Sequence, residues 1–324
     1  MMKVLFVGLG SIGLRHLKNL YSLGLNDFIV FRYRKNSPPG KIPDGLKLTE
    51  FTSYQDALNQ KPDIVVISNP SVYHFDYAMQ AMSLGCNVYL EKPVSHNIDN
   101  IDKMLALHKE KQVNVQVGCQ LRMHPHLIKI KEWLISGDIG EIYSVSADVG
   151  EYLPGWHPWE DYRNSYAARD NQGGGVVLTL IHEIDYLYWL FQDIEVLAAT
   201  GGNLTESEMD VEDTVLILMR AENKIPIQLR MDYWRSPPVR TLNIVGNNAE
   251  INWDYHAMTL EYCKRGDSPV IYKLEQTWNR NDLFLGLMEN FLLSIKNKTK
   301  TISPLDDGVS VLKIAHSVKK MITN

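Results

Sequence analysis

Residues 8–13 read Gly-Leu-Gly-Ser-Ile-Gly, set between a short apolar run and a segment of helical spacing. That context constrains the fold more than any other stretch of the chain. Lys3–Val7 reads as a buried strand. Residues 12–23 then bring Ile12, Leu17, Leu20 and Leu23 near one helical face, with Gly24 as the stop. In a strand–turn–helix of this kind Gly8 permits the tight turn, Gly10 lets the backbone approach a pyrophosphate, and Gly13 allows close helix–strand packing. The helix start at Ser11 and Ile12 offers backbone N–H groups to phosphates. Gly8, Gly10, Ser11, Ile12 and Gly13 are therefore expected to hold a dinucleotide.

The same rhythm continues. Phe28–Arg32, Asp63–Ser68, Asn87–Leu90 and Val113–Val117 read as strands. Between them, one helix runs from an N-cap at Ser71 to about Leu84, where Gly85 ends it, and another spans Asn97–Lys111. Strands alternating with helices predict βαβ units around a parallel sheet. From about residue 122 the pattern changes. A helix at 126–136 leads into a strand at 141–151, followed by β-rich runs at 194–202, 211–221, 225–234 and 239–246. The Ala221-Glu222-Asn223-Lys224 link predicts a hairpin, Gly246-Asn247-Asn248 marks another turn, and 281–324 returns to helix. The expected fold is α/β: an N-terminal Rossmann domain over 1–121, and over 122–324 an α+β domain on an open, mostly antiparallel sheet. The last helix is a candidate to pack back on the first domain.

Composition narrows the partners. A formal net charge of −5 gives no reason to expect nucleic acid or an anionic membrane. Cys86, Cys119 and Cys263 lie far apart without a paired spacing, which fits a reducing cytoplasm better than a disulfide framework. The apolar start is too short for a signal segment, and no run approaches the roughly 20 apolar residues of a span. The expected location is cytoplasmic, with a small-molecule substrate.

Position 32, 19 residues beyond Gly13, carries Arg32 where an acidic residue would favour NAD; Arg34 and Lys35 follow. A cationic cluster there suits a 2′-phosphate, so NADP is preferred over NAD. Glu91-Lys92-Pro93 ends a strand at the carboxyl edge of the sheet, where ligands bind in such folds. On composition alone a structural or solvated lysine is the favoured reading of Lys92.

Taken together, 8–13 (GLGSIG), 69–74 (NPSVYH), 85–93 (GCNVYLEKP), 118–125 (GCQLRMHP), 173–175 (GGG) and 182–191 (HEIDYLYWLF) resemble, in order, the Gfo/Idh/MocA oxidoreductases. Those enzymes act mostly on sugars, inositols and nucleotide sugars. The resemblance implies that Lys92 is the catalytic lysine and that His182 contacts the reacting hydroxyl. It places Arg122 at the cofactor–substrate cleft, and Asn69, Pro70, His74, Glu91 and Lys92 beside the cofactor. Asp185, three residues after His182, reads as an orienting or structural partner. It also implies a homodimer or homotetramer.

The chain departs from the family in one place. An aspartate often precedes the histidine by four residues; here Thr179 stands three residues ahead of His182. Thr179 is kept as a substrate contact: threonine hydrogen-bonds but takes no proton at neutral pH. Either Lys92 and His182 carry the proton without that carboxylate, or the reaction differs from simple alcohol oxidation. The loop over 151–175 is rich in groups that bind sugars, among them Trp156, His157, Trp159, Tyr166 and Arg169, with Tyr162 and Arg163 as preferred substrate contacts. His124 and His126 lack companions at metal-ligand spacing, so no metal is expected. The reading is an NAD(P)-dependent oxidoreductase acting on a hydroxyl or ketone carbon of a carbohydrate. Two alternatives stay open: an NAD-dependent glycoside hydrolase working through transient oxidation, and a non-catalytic NAD(P)-binding redox or sugar sensor.

Overall fold

A computed structural model describes residues 2–32, 41–156, 161–205, 208–222, 224–275 and 277–322. The chain divides into two compact units, one of Met1–Gln120 with Asn279–Val309, the other of Leu121–Trp278 with Ser310–Asn324.

The first unit is built on six parallel strands: β1 Lys3–Val7, β2 Asp27–Phe31, β3 Thr49–Phe51, β4 Ile64–Ile67, β5 Asn87–Leu90 and β6 Val115–Val117, in the order β3-β2-β1-β4-β5-β6. Strands covered on both faces need apolar residues at every position. Val4–Phe6 and Ile64–Ile67 meet that need with no solvent exposure. The connecting helices are α1 Ser11–Ser22, α2 Tyr54–Leu58, α3 His74–Ser83 and α4 Ile101–Lys111. The expected strands stand within about two residues of their observed places. β3 and α2 were not expected, because Thr-Glu-Phe is too short to carry a period. α4 begins four residues later than expected. Residues 97–100 turn first, with Asn97 Oδ1 accepting the Asp99 N–H at 3.0 Å and Asn100 left-handed at φ 57°. Ser71 does not cap α3; Ser71–Tyr73 forms a 3-10 turn ahead of it.

Residues 279–309 complete this unit rather than the second. In α8, Asn281–Asn297, Phe284 lies under the Arg15 guanidinium at 4.5 Å and Asn281 donates to Asn19 Oδ1 at 2.9 Å. Farther on, Ser303 O accepts the Val117 N–H at 2.8 Å, extending the edge of β6.

The second unit opens with α5 Pro125–Ser136. Its sheet comprises β7 Ile142–Gly150, β8 Ile194–Gly202, β9 Thr214–Ala221, β10 Ile225–Asp232, β11 Val239–Gly246, β12 Ala249–Asp254, β13 Thr259–Lys264 and β14 Val270–Lys273. The order is β14-β13-β12-β11-β7-β10-β9-β8; β7 and β10 run parallel and the other neighbours antiparallel. Alternation decides which face is covered: Val215, Ile217 and Met219 are buried, whereas Leu216 and Leu218 between them are about half exposed. α6 Val176–Thr179 and α7 His182–Phe191 follow the long loop after β7. β12 to β14 lay beyond the expected strands, although Ala249, Ile251 and Trp253 alternate inward as a half-buried strand should. α9, Leu305–Ile322, ends the described chain.

Candidate active site

In the first unit β1, β4, β5 and β6 are parallel, so the loops after them open along one carboxyl edge. β1 has β2 on one side and β4 on the other, which makes this edge the switch point of a doubly wound sheet, where ligands bind. Gly8 turns with φ 88°, and a Cβ there would stand 3.3 Å from Asn69 N. A Cβ on Gly13 would lie 2.6 Å from Ser68 Oγ and 2.7 Å from Gly8 O, so only glycine lets α1 approach β1 and β4 this closely. Gly10 and Ser11 are exposed, Ile12 is half-buried, and nothing lies within 4 Å of the Cβ position on Gly10. No side chain caps α1 at Gly10. The loop therefore has the open backbone and the uncapped helix start that a pyrophosphate requires.

At the end of β2, the Arg32 N–H donates to Phe51 O at 3.0 Å, and the nearly buried guanidinium pairs with Glu50 of β3 at 3.2 Å. Arg34 and Lys35 lie outside the described residues.

The loop after β5 is held from two sides. Glu91 is 8% exposed, and its Oε1 accepts from His16 Nε2 of α1 at 2.6 Å. Its Oε2 takes the Lys92 N–H at 3.3 Å. A Cβ on Gly118, after β6, would sit 2.9 Å from that carboxyl group. Lys92 is half-buried and joins Pro93 through a cis peptide.

His74, expected beside the cofactor, is buried. Its Nδ1 lies 2.7 Å from Pro93 O and its Nε2 2.8 Å from Asn69 O, so the ring sits between two carbonyls and, when neutral, donates to one of them at a time. Burial pushes its pKa below the ordinary histidine range, against the pull of the two carbonyls and of Glu91. His74 thus ties the Asn69-Pro70 loop to the Lys92-Pro93 loop. His16 was missed by sequence reasoning. The signal was present: a histidine one turn from Ile12 and Leu20, on the stripe that packs inward.

In the second unit His182 is 7% exposed and begins α7. Arg122 is fully buried. Its Nε and Nη2 donate to the two Asp185 oxygens at 3.0 and 2.7 Å, and Trp189 lies 6.0 Å from the guanidinium carbon. Arg122 was expected to contact ligands. The bidentate pair ties Arg122 to α7, with Asp185 as its partner there. Glu183, also unexpected, takes Arg240 Nε of β11 at 2.7 Å, and its burial pushes the carboxyl pKa upward. Thr179 is buried at the end of α6, with its hydroxyl against the Tyr233 phenol.

Of the expected sugar contacts, Arg163 forks onto Asp161 at 2.7–2.9 Å and reaches Glu208 at 2.6 Å, and the two carboxylates raise its pKa. Its charge is therefore compensated on the surface. Tyr162 lines a cavity of about 230 Å³ with Leu153, Trp156, Ser165, Tyr166 and Gln172. His157 and Trp159 lie outside the described residues. His124 serves α5 as an N-cap, its Nδ1 accepting the His126 N–H at 3.2 Å.

Residues 2–119 match the profile of an oxidoreductase family with an NAD-binding Rossmann fold, and residues 127–252 match the GFO/IDH/MocA C-terminal domain. An uncharacterized oxidoreductase of Synechocystis is 28% identical over 53% of this chain and 49% of its own length, so the match spans about half of that relative. Myo-inositol 2-dehydrogenase of Thermotoga maritima is 23% identical over 99% of this chain and 96% of its own. Among solved structures, levoglucosan dehydrogenase in complex with NADH and levoglucosan superposes with a TM-score of 0.87 at 16% identity, covering 99% of this chain and 97% of that one.

Proposed function

The chain belongs to the Gfo/Idh/MocA oxidoreductase family, and on that premise we propose that it transfers hydride between a nicotinamide dinucleotide and a hydroxyl or ketone carbon of a sugar, inositol or nucleotide sugar. The observation that carries the reading is the placement of Lys92. It leaves the carboxyl end of β5, on the edge where Gly8, Gly10 and Gly13 end β1, beside a Glu91 fixed by His16. Two relatives named for myo-inositol and levoglucosan support a ring carrying secondary hydroxyls.

The dinucleotide supplies the hydride acceptor or donor. Gly8, Gly10, Ser11, Ile12 and Gly13 hold its pyrophosphate, and Asn69 and Pro70 border it. Lys92 takes the hydroxyl proton in oxidation and returns it in reduction. His182 is assigned to the same hydroxyl. Arg122 acts at one remove, fixing the helix that carries His182. Tyr162 is assigned to the sugar through its cavity, with Arg163 shaping the loop beside it. Thr179 supplies no proton, so this chemistry rests on lysine and histidine alone.

Leu197, Leu216 and Leu218, each more than 40% exposed on β8 and β9, support self-association as a homodimer or homotetramer. Among the described residues no helix is long and apolar enough to cross a membrane. The three cysteines are free thiols, which supports a cytoplasmic setting.

The test is to incubate the protein with NAD or NADP and a panel of inositols, anhydrosugars and nucleotide sugars, following reduced nicotinamide. Turnover with a ring polyol is expected. No hydride transfer in either direction with any member, under either dinucleotide, would sink the proposal.

A further inference from the structure

Arg32 and Glu50 meet because the register of β2 and β3 requires it. In that parallel pair Val30 stands opposite Glu50 and Phe31 opposite Phe51. The Arg32 N–H then continues the ladder to Phe51 O. Side chains two apart share a sheet face, so Val30 and Arg32 lie on the same face as Glu50, and Arg32 is its diagonal neighbour. The Arg32 side chain is 7% exposed and the Glu50 side chain 33%. A guanidinium that far out of water needs a counter-charge, and Glu50 supplies one from the neighbouring strand.

The position matters because of what ends beside it. Gly8 N donates to Phe31 O at 3.1 Å, which sets the dinucleotide loop against the end of β2. The end of β2 is where a Rossmann fold meets the adenosine ribose and distinguishes a 2′-hydroxyl from a 2′-phosphate. An arginine there, taken alone, favours the phosphate. With its charge already compensated it offers much less, and a phosphate drawn to that guanidinium would also face the Glu50 carboxylate, 3.2 Å from it. A free ribose 2′-hydroxyl carries no charge and can donate to that carboxylate.

We propose that Glu50, through its pair with Arg32, makes this chain select NAD(H) over NADP(H), reversing the preference that Arg32 alone suggests. The inference rests on the dinucleotide reading above and names the residue that sets its specificity. The acidic determinant comes from β3 rather than from β2, so it is hidden from a search that counts forward from the glycine loop.

Equilibrium titration with NADH and NADPH, read by nicotinamide fluorescence, tests it without a substrate. The native protein should bind NADH at least about tenfold tighter than NADPH, the ratio expected of one like-charge contact near a protein surface. Glu50→Gln, nearly isosteric and at a partly exposed site, should tighten NADPH by about tenfold and, by replacing the carboxylate that accepts from the 2′-hydroxyl, weaken NADH, so that the NADH-to-NADPH preference falls by at least about tenfold. Adding Arg32→Ala to Glu50→Gln should abolish the gain. Tighter native binding of NADPH, or an unchanged ratio in Glu50→Gln, would overturn the inference even if that variant binds both dinucleotides well. Should Glu50→Gln not fold, the native ratio decides. If the native protein binds neither dinucleotide, the functional reading falls and this inference falls with it.

Discussion

His16 Nε2 of α1 stands 2.6 Å from Glu91 Oε1 at the end of β5, and both side chains are almost wholly out of solvent. The pair links the helix that begins at the dinucleotide loop to the residue just before Lys92. The helix that follows the glycine loop therefore also fixes the strand end that carries Lys92.

Replacing His16 with leucine leaves the Glu91 oxygen buried without its donor. The loss should be about 1–3 kcal/mol of unfolding free energy, the usual penalty for an unmet buried polar group. Urea denaturation measures it directly. His16→Gln, which keeps an amide donor at similar reach, should recover part of the loss. Equal destabilisation by the two variants would mean that ring packing against Tyr89, 4.7 Å away, matters more than the hydrogen bond.

Lys92→Met keeps the length and apolar stem of the side chain and removes the amine. If Lys92 moves the hydroxyl proton, turnover with the preferred polyol should fall by about 10²–10⁴-fold, the range for removal of a general acid or base. NADH binding should change by less than about threefold if, as proposed, the glycine loop holds the pyrophosphate independently. A variant that retains most of its turnover would show that another group handles the proton.

The sheet of the first unit could be read from sequence because its strands are continuous apolar runs and its turn has a fixed glycine pattern. Lys92 and His182 could be singled out as candidates only through motif order, since an isolated lysine or histidine has no periodicity. What stayed hidden was pairing between distant elements. Nothing local distinguishes Arg122 as the partner of Asp185, 63 residues on, from an arginine facing a ligand. Nor does anything local show that the His74 ring lies between Asn69 O and Pro93 O. Glu50 escaped notice because β3 has three residues, too few to show a period.

His124 gives a pH prediction with a definite sign. Burial, then His126 and Arg240, lower its pKa from 6.5 to about 3. Trp253, Tyr255 and Trp278 enclose the ring, each within about 5.5 Å. Between those values the unfolded chain binds a proton that the folded chain refuses. Stability is therefore fully present above pH 6.5 and is lost as pH falls toward 3, by up to about 1.4 kcal/mol per pH unit. The raised carboxyls of Glu183, Glu212 and Asp232 work in the opposite direction. His124→Asn retains a capping acceptor for α5 and lacks this titration. Its melting temperature should fall less steeply from pH 7 to pH 5 than that of the native protein. Parallel curves would refute the assignment.

The Arg122–Asp185 pair separates a positioning role from a ligand role. Both groups are without exposure and form two parallel hydrogen bonds, so removing one partner strands a buried charge. Arg122→Met should cost about 3–5 kcal/mol, whereas replacing both, Arg122→Met with Asp185→Leu, should recover most of it, because an apolar pair of similar volume often substitutes for a buried ion pair. If Arg122 only anchors α7, the double variant should also recover turnover, since His182 returns to its place on a stable helix. If Arg122 touches substrate or dinucleotide, stability will return without activity, and the KM for whichever ligand it contacts will stay raised. Denaturation and steady-state kinetics on the same two variants decide between these outcomes.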